Sequence, residues 1–103
     1  MIRRRRFSEV VSRQLDLFER DHAAFIADCD AAERAYDRAQ REEAEERYGD
    51  YVDLVETGTE VLADLRDNFA TTLEEDAADE YEQAFNQAVF RRFRRFALEI
   101  EDR

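Results

Sequence analysis

Apolar side chains recur at the three- and four-residue spacing of an α-helix in three stretches of this chain. Charged residues fill most positions between them, so each stretch is expected to form an amphipathic helix that buries one face. With no proline, two glycines and few β-branched residues, the sequence predicts no strand. We predict an all-α fold, a single helical domain over residues 1–103 with helices near 7–46, 50–69 and 73–101. The apolar stripes of these helices are Phe7, Val11, Phe18, His22, Phe25, Cys29, Ala32 and Tyr36, then Tyr51, Leu54, Val55, Gly58, Leu62, Leu65 and Phe69, then Ala78, Phe85, Val89, Phe93, Phe96 and Ile100.

Local signals set the expected helix ends. Gly49 can close the first helix in the left-handed conformation, and Asp50 can cap the second. Thr72 and Glu75 match a capping box, which would start the third helix. The second stripe is only modestly rotated from the first, so a two-helix hairpin with one very long helix is the alternative. Gly58 lies on the apolar face, where it is expected to allow close packing rather than to act as a hinge.

Stripes of this length favour association with another chain. We predict a long-helix bundle in an up-down-up arrangement, completed by dimerisation, with the excess length of the first helix packed against a second copy. The third helix is rich in phenylalanine, which supplies more apolar surface than one short helix covers. Phe90, on the flank of that helix, and Phe93 are the candidate aromatic residues of the interface.

All 16 basic residues are arginine, against 27 acids, for a formal net charge of −11. The acids concentrate between residues 19 and 82, whereas arginines cluster near both ends. Arg91, Arg94 and Arg95 are therefore candidate interaction residues, and binding of nucleic acid or another anion is the alternative function, because guanidinium groups bind phosphate. The acidic middle of the chain would repel a polyanion, which disfavours nucleic acid as a partner. The acidic middle of a second copy is another target for the same arginines.

Glu19 and His22 form a Glu-x-x-His pair, which is the ligand spacing of carboxylate-bridged di-iron bundles. The pair occurs once, so a metal site would need two copies of the chain and a further carboxylate from each. Glu82, a polar residue on the apolar face of the third helix, is the candidate for that carboxylate. A lone histidine on an apolar face is more often a packing residue. We predict no metal and no other cofactor, with a dimeric site on these residues as the second alternative.

The sequence gives little support for catalysis. Cys29, the only cysteine, lies two helical turns from His22, about 10 Å by helical rise, which is too far for proton transfer. Cys29 is instead expected to be a small core residue, and no disulfide can form within the chain. We predict no enzymatic activity. No apolar run reaches the length of a membrane span or an export signal, so a cytoplasmic location without membrane contact is expected.

The lysine-free, acidic, arginine-using composition resembles that of small helical proteins of extreme halophiles, many of them uncharacterised. The resemblance covers the whole chain but rests on no motif. It implies a cytoplasm rich in potassium chloride, where long-range electrostatic steering is screened. We therefore predict a non-catalytic structural or protein-interaction module, a homodimer or the partner of an unidentified protein. Anion binding and a dimeric metal site are the alternatives.

Overall fold

The computed structural model describes residues 6–103, and in that range it contains α-helices, one short 3₁₀ helix and no β-strand. The all-α prediction is confirmed. The helices are α1 (Ser8–Asp21), α2 (Ala23–Asp37), α3 (Ala44–Ala70), α4 (Glu75–Arg92) and α5 (Ala97–Ile100), with the 3₁₀ helix at Arg94–Phe96.

The chain runs up through α1 and α2, down through α3 and up again through α4. Near the α3–α4 turn, the rings of Phe69 and Tyr81 lie 4.8 Å apart between centroids. At the other end of α4, the guanidinium of Arg92 lies 3.3 Å from a carboxylate oxygen of Glu19 near the end of α1. Helices α1 and α4 thus run in the same direction, and α3 runs in the opposite one. The molecule measures 53 × 26 × 22 Å, because the α2–α3 hairpin extends beyond the other helices.

The predicted first helix, 7–46, is wrong because the chain bends at His22 and leaves the helix after Asp37. His22 has φ −118° and ψ 28°, but the amide of His22 still donates to Phe18 and the amide of Ile26 still donates to His22. The bend directs α1 towards α4 and α2 towards α3, so one apolar stripe meets two different partners. The excess length of the predicted helix packs against α3 of the same chain, and its packing against a second copy stays a prediction.

The predicted turn near residues 47–50 is also wrong. The chain turns at residues 38–43, and α3 starts at Ala44 and passes through Gly49, which does not have a positive φ. Glu45 and Glu46 thereby lie in the first turn of α3, where their negative charge complements the positive end of the helix dipole. At the end of the predicted first helix, the same carboxylates would have faced the negative end.

The predicted third helix, 73–101, is shorter at both ends and broken near its end. Thr72 forms no capping box, because its hydroxyl donates to the carbonyl of Phe69 at 2.7 Å and so satisfies the end of α3. Helix α4 starts at Glu75 and ends at Arg92, after which Phe93 leaves the helical conformation with φ −135° and ψ 65°. This break lets the chain fold back over α3 through the 3₁₀ helix and α5.

The buried core lies where α1, the second half of α3, α4 and α5 converge. Gly58 has the packing role expected of it: a Cβ at Gly58 would lie 2.7 Å from Cζ of Phe96 and 3.0 Å from Cε2 of Phe25, so only glycine admits these rings without displacement. Near the other end of α3, Arg66 is almost fully buried, and its Nη1 donates to the Asn86 side chain and to the carbonyl of Ile100. The largest fully buried side chains are Tyr81, Phe85, Phe96, Leu15, Leu62 and Ile100.

Candidate interaction surface

The residues considered for a metal site do not form one within the described chain. Glu19 is exposed and faces Arg92, and the His22 ring packs against the Phe18 ring at 5.2 Å between centroids. Glu82 is half-buried on α4. Across residues 6–103, no three His, Cys, Asp or Glu side chains gather in a group that could hold a metal ion. The dimeric metal site remains a prediction that needs a second copy.

Cys29 is fully buried on α2, as the sequence predicted. Burial raises the pKa of its thiol, and the neighbouring Arg95 partly offsets that effect. A thiol that keeps its proton is a poor nucleophile, so Cys29 serves here as a small apolar packing residue.

Two arginines of the run 91–95, Arg92 at the end of α4 and Arg95 after it, are held by carboxylates of the same chain. Arg92 binds Asp16 at 2.9 Å and Glu19 at 3.3 Å, which ties the end of α4 to α1. Arg95 binds both Asp30 and Glu33 at 2.8 Å, and its side chain is only 19% exposed. The guanidinium of Arg95 also lies 5.9 Å from the centre of the Tyr51 ring, so it joins the end of the chain to α2 and α3.

The sequence suggested the acidic middle of a second copy as a target for Arg91, Arg94 and Arg95, and for Arg91 and Arg94 that pairing stays a prediction. Arg95, a candidate for binding a partner, is engaged with Asp30 and Glu33 in a structural contact instead. Phe93 is likewise half-buried, and its ring meets the Phe18 ring edge-on at 5.4 Å between centroids. Of the five candidate interaction residues, Arg95 and Phe93 therefore stabilise the fold.

The other three candidates, Phe90, Arg91 and Arg94, lie exposed on one side of the molecule. The Phe90 side chain is 51% exposed, and the Arg94 guanidinium lies over its ring at 4.5 Å from the centre. Beyond the break at Phe93, Leu98 of α5 is 88% exposed, more than any other large apolar side chain in the described residues.

A shallow depression joins these side chains, and its rim includes Phe90, Arg94, Leu98, Glu101 and Asp102. A second depression, lined by Arg91 and by polar side chains of α4, shares Phe90 and Glu101 with the first. We name this surface the C-terminal face and define it by six residues: Phe90, Arg91, Arg94, Leu98, Glu101 and Asp102.

Leu98 was missed by the sequence reasoning, although a signal for it exists. Phe96 and Ile100, which precede and follow it in the sequence, belong to the third stripe, but Leu98 itself would face away from the core in a continuous helix. An apolar residue opposite the stripe of its helix is expected to lie in solvent, and in so charged a chain it is a candidate for contact with another molecule. A search for isolated apolar positions opposite each stripe would have found it.

Other exposed apolar side chains are isolated or paired with each other. The rings of Tyr36 on α2 and Tyr48 on α3 contact each other across the hairpin, inclined by 53° with 5.2 Å between their centres. Leu17 lies alone on the outer side of α1. In the described part of the chain, no helix has the length and apolar character needed to cross a membrane.

Comparisons with known proteins identify no relative: no protein-family model, no curated protein and no solved structure matches this chain.

Proposed function

We propose that this chain is a non-catalytic helical interaction module that forms a homodimer through its C-terminal face. The observation that carries the proposal is the exposure of Leu98 beside Phe90. Burying a leucine or phenylalanine side chain is worth roughly 1.5–3 kcal/mol, so both residues gain by meeting a partner surface. The chain breaks after α4, and Leu98 of α5 then lines the same depression as Phe90 of α4.

Charge favours the C-terminal face over the rest of the surface for contact with a second copy. Two molecules with a formal charge of −11 each repel one another over most of their surfaces. The C-terminal face is balanced, since its two arginines offset its two carboxylates. Two copies can therefore approach through this face at a lower electrostatic cost than through the acidic middle of the chain.

Binding of nucleic acid receives less support. In the run 91–95, Arg92 and Arg95 are committed to internal carboxylates, which leaves Arg91 and Arg94. Both lie beside Glu101 or Asp102 on the C-terminal face, whose carboxylates would repel a phosphate backbone. A proposed setting in concentrated potassium chloride, inferred from composition, would weaken such binding further.

The test is the absolute mass in solution, measured by light scattering after size exclusion in molar potassium chloride over a range of protein concentrations. We expect twice the chain mass of 12.3 kDa for the unaltered protein. Leu98→Asp should give the monomer mass, because it places a charge in the apolar centre of the face. Leu17→Asp is the matched control, an exposed leucine on α1 whose replacement should leave the dimer intact. A monomer at every concentration of the unaltered protein would reject the proposal.

A further inference from the structure

We propose that the two copies of the dimer exchange their residues 94–103, so that each copy covers part of the core of the other. We call these residues the closing segment, which comprises the 3₁₀ helix, α5 and the residues after it. This inference rests on the dimer of the proposed function and adds which part of the chain the copies share. Its basis is a helix break that the local sequence does not require, together with contacts that a second copy supplies equally well.

The sequence around the break is that of a continuous helix. Apolar side chains continue through it at the three- and four-residue spacing of a helix: Val89, Phe93, Phe96 and Ile100. Residues 90–100 contain no glycine and no proline. Nevertheless α4 ends at Arg92, and Phe93 alone connects it to the 3₁₀ helix. The break is therefore maintained by contacts of the closing segment with the rest of the molecule, and the segment has a second, helical arrangement open to it.

The contacts of the closing segment are made with other helices. The ring of Phe96 is buried against Gly58 of α3. Arg95 binds Asp30 and Glu33 of α2, both at 2.8 Å. We call this surface of α2 and α3 the docking site and define it by Asp30, Glu33, Gly58 and Arg66. Because the docking site lies outside the closing segment, the same contacts form when the segment comes from a second copy.

Arg66 shows that a continuous helix and a filled docking site exclude each other within one chain. Its Nη1 donates to the Asn86 side chain of α4 at 2.9 Å and to the carbonyl of Ile100 at 2.8 Å. In a continuous helix these two residues would lie about 21 Å apart along the axis, so one nitrogen could not bind both. After exchange, Arg66 keeps Asn86 of its own chain and binds the carbonyl of Ile100 from the second copy. Exchange thus retains a buried hydrogen bond that simple opening would break.

The docking site also selects its occupant. If the closing segment opened without exchange, the buried side chains of Phe96 and Ile100 would enter water and the surface beside Gly58 would be uncovered. The segment of a second copy carries the same side chains and fits the same surface. Short connections favour such exchange, and here the connection is one residue long.

A mixture of two charge variants tests the exchange. Arg95→Glu alters the closing segment, and Asp30→Arg combined with Glu33→Arg alters the docking site. Each variant alone should weaken the dimer by about tenfold or more, because like charges meet in the docking site. When the two variants are refolded together, exchange gives a heterodimer in which both docking sites hold opposite charges. Native mass spectrometry should then show about tenfold more heterodimer, relative to homodimers, than random association gives.

The chain offers a matched control on the other side of the break. Arg92 binds Asp16 and Glu19 of α1, and all three residues precede Phe93. This pairing stays within one chain whether or not the closing segments are exchanged. A mixture of Arg92→Glu with the double variant Asp16→Arg and Glu19→Arg should therefore associate at random.

A second mixture tests the exchange without any change of charge. In Gly58→Ala the added methyl group overlaps the Phe96 ring, and Phe96→Ala removes that ring. After exchange, one docking site of the heterodimer pairs Gly58 with Phe96, and the other pairs the two alanines. Heterodimers should again be preferred over random association. Random association in both mixtures would overturn the exchange.

The outcomes separate this inference from the proposed function. If Leu98→Asp gives monomers and both mixtures associate at random, the C-terminal face is correct and the exchange is overturned. If heterodimers are preferred while Leu98→Asp remains a dimer, the exchange is correct and the C-terminal face is not the contact surface. If the unaltered protein is a monomer at every concentration, both fail. Circular dichroism follows folding throughout, and helix content that returns only on mixing supports the exchange.

Discussion

The molecule has two regions that share one composition but pack differently. We call residues 31–54 the arm and the remainder of the described chain the body. No residue of the arm is buried, whereas the body holds the whole cluster of fully buried side chains. Beyond its base, where Glu33 and Tyr51 meet Arg95, the arm consists of two helices that pair alone, so each keeps part of its stripe in water. In the body, further elements cover the same kind of stripe. Amphipathic spacing thus predicts a helix but not how deeply it is buried.

Charges differ between the regions in the same way. In the body, the ion pairs of Arg92 and Arg95 connect separate elements and fix the end of the chain. Arg95 reaches to Glu33 at the base of the arm. Within the arm itself, the pair of Arg47 and Asp50 joins residues one turn apart on one helix at 3.8 Å, a type of pair that adds a few tenths of a kcal/mol. Stability is therefore expected to be concentrated in the body.

The largest contrast is expected from removing one aromatic ring in each region. Phe96→Ala empties the site over Gly58 and should lower the free energy of unfolding by about 3–5 kcal/mol. Tyr36→Ala removes an exposed ring that contacts Tyr48, and should cost less than about 1 kcal/mol. Denaturant unfolding at one fixed protein concentration in molar potassium chloride measures both. Equal losses would mean that the arm is as important to stability as the body.

A second contrast concerns alkaline pH. Burial raises the pKa of Tyr81 in the body to about 12, and a hydrogen bond to Gln14 offsets part of the effect. Above pH 10 the unfolded phenol ionises while the folded one stays neutral, so stability is fully present below pH 10 and is lost as pH rises to 12. The loss from this one group should be about 3 kcal/mol.

The variant Tyr81→Phe isolates that group. Stability of Tyr81→Phe should fall less steeply between pH 10 and 12 than stability of the unaltered protein. Unfolding curves recorded at several pH values provide the slopes. An unchanged slope in Tyr81→Phe would show that other groups cause the alkaline loss.

The smallest expected contrast is between alanine substitutions at the two glycines, which should change the free energy of unfolding in opposite directions. Gly58→Ala should destabilise the protein by about 2 kcal/mol, because the added methyl group overlaps the Phe96 ring. Gly49→Ala lies on the exposed part of α3 with nothing within 4 Å of the new methyl group. It should stabilise the protein by about 0.5–1 kcal/mol through helix propensity. The same unfolding experiment decides, and a stabilised Gly58→Ala variant would contradict the close packing at that site.

The sequence predicted the helical class, the packing role of Gly58 and the burial of Cys29, because each follows from residue type and spacing. It did not predict the turn at residues 38–43, because residues 40–47 have high helix propensity and Gly49 offers a closing glycine, whereas the turn itself contains no glycine or proline. The kink at His22 and the break at Phe93 carry no glycine or proline. Both depend on which elements the neighbouring segments meet, which is information that only the folded chain contains.

The candidate surface was predicted in part for a related reason. The position of Phe90 on the helix flank predicts its exposure correctly, whereas Arg95, predicted on the exposed face, is held by Asp30 and Glu33. Leu98 lies opposite the third stripe, which is a signal of exposure that the sequence contains, whereas its place beside Phe90 follows from the break at Phe93. Side chains near a chain reversal have neighbours that periodicity alone does not reveal.

Hydrogen exchange along α3 tests most directly the claim that stability resides in the body, since this one helix belongs to both regions. Residues 55–70 should exchange slowest, through opening events close to global unfolding, and residues 44–54 should exchange at least about tenfold faster through local opening. Mass spectrometry of peptides from each half, in molar potassium chloride, gives the comparison. Equal protection along the whole of α3, or slower exchange in its first half, would contradict the account.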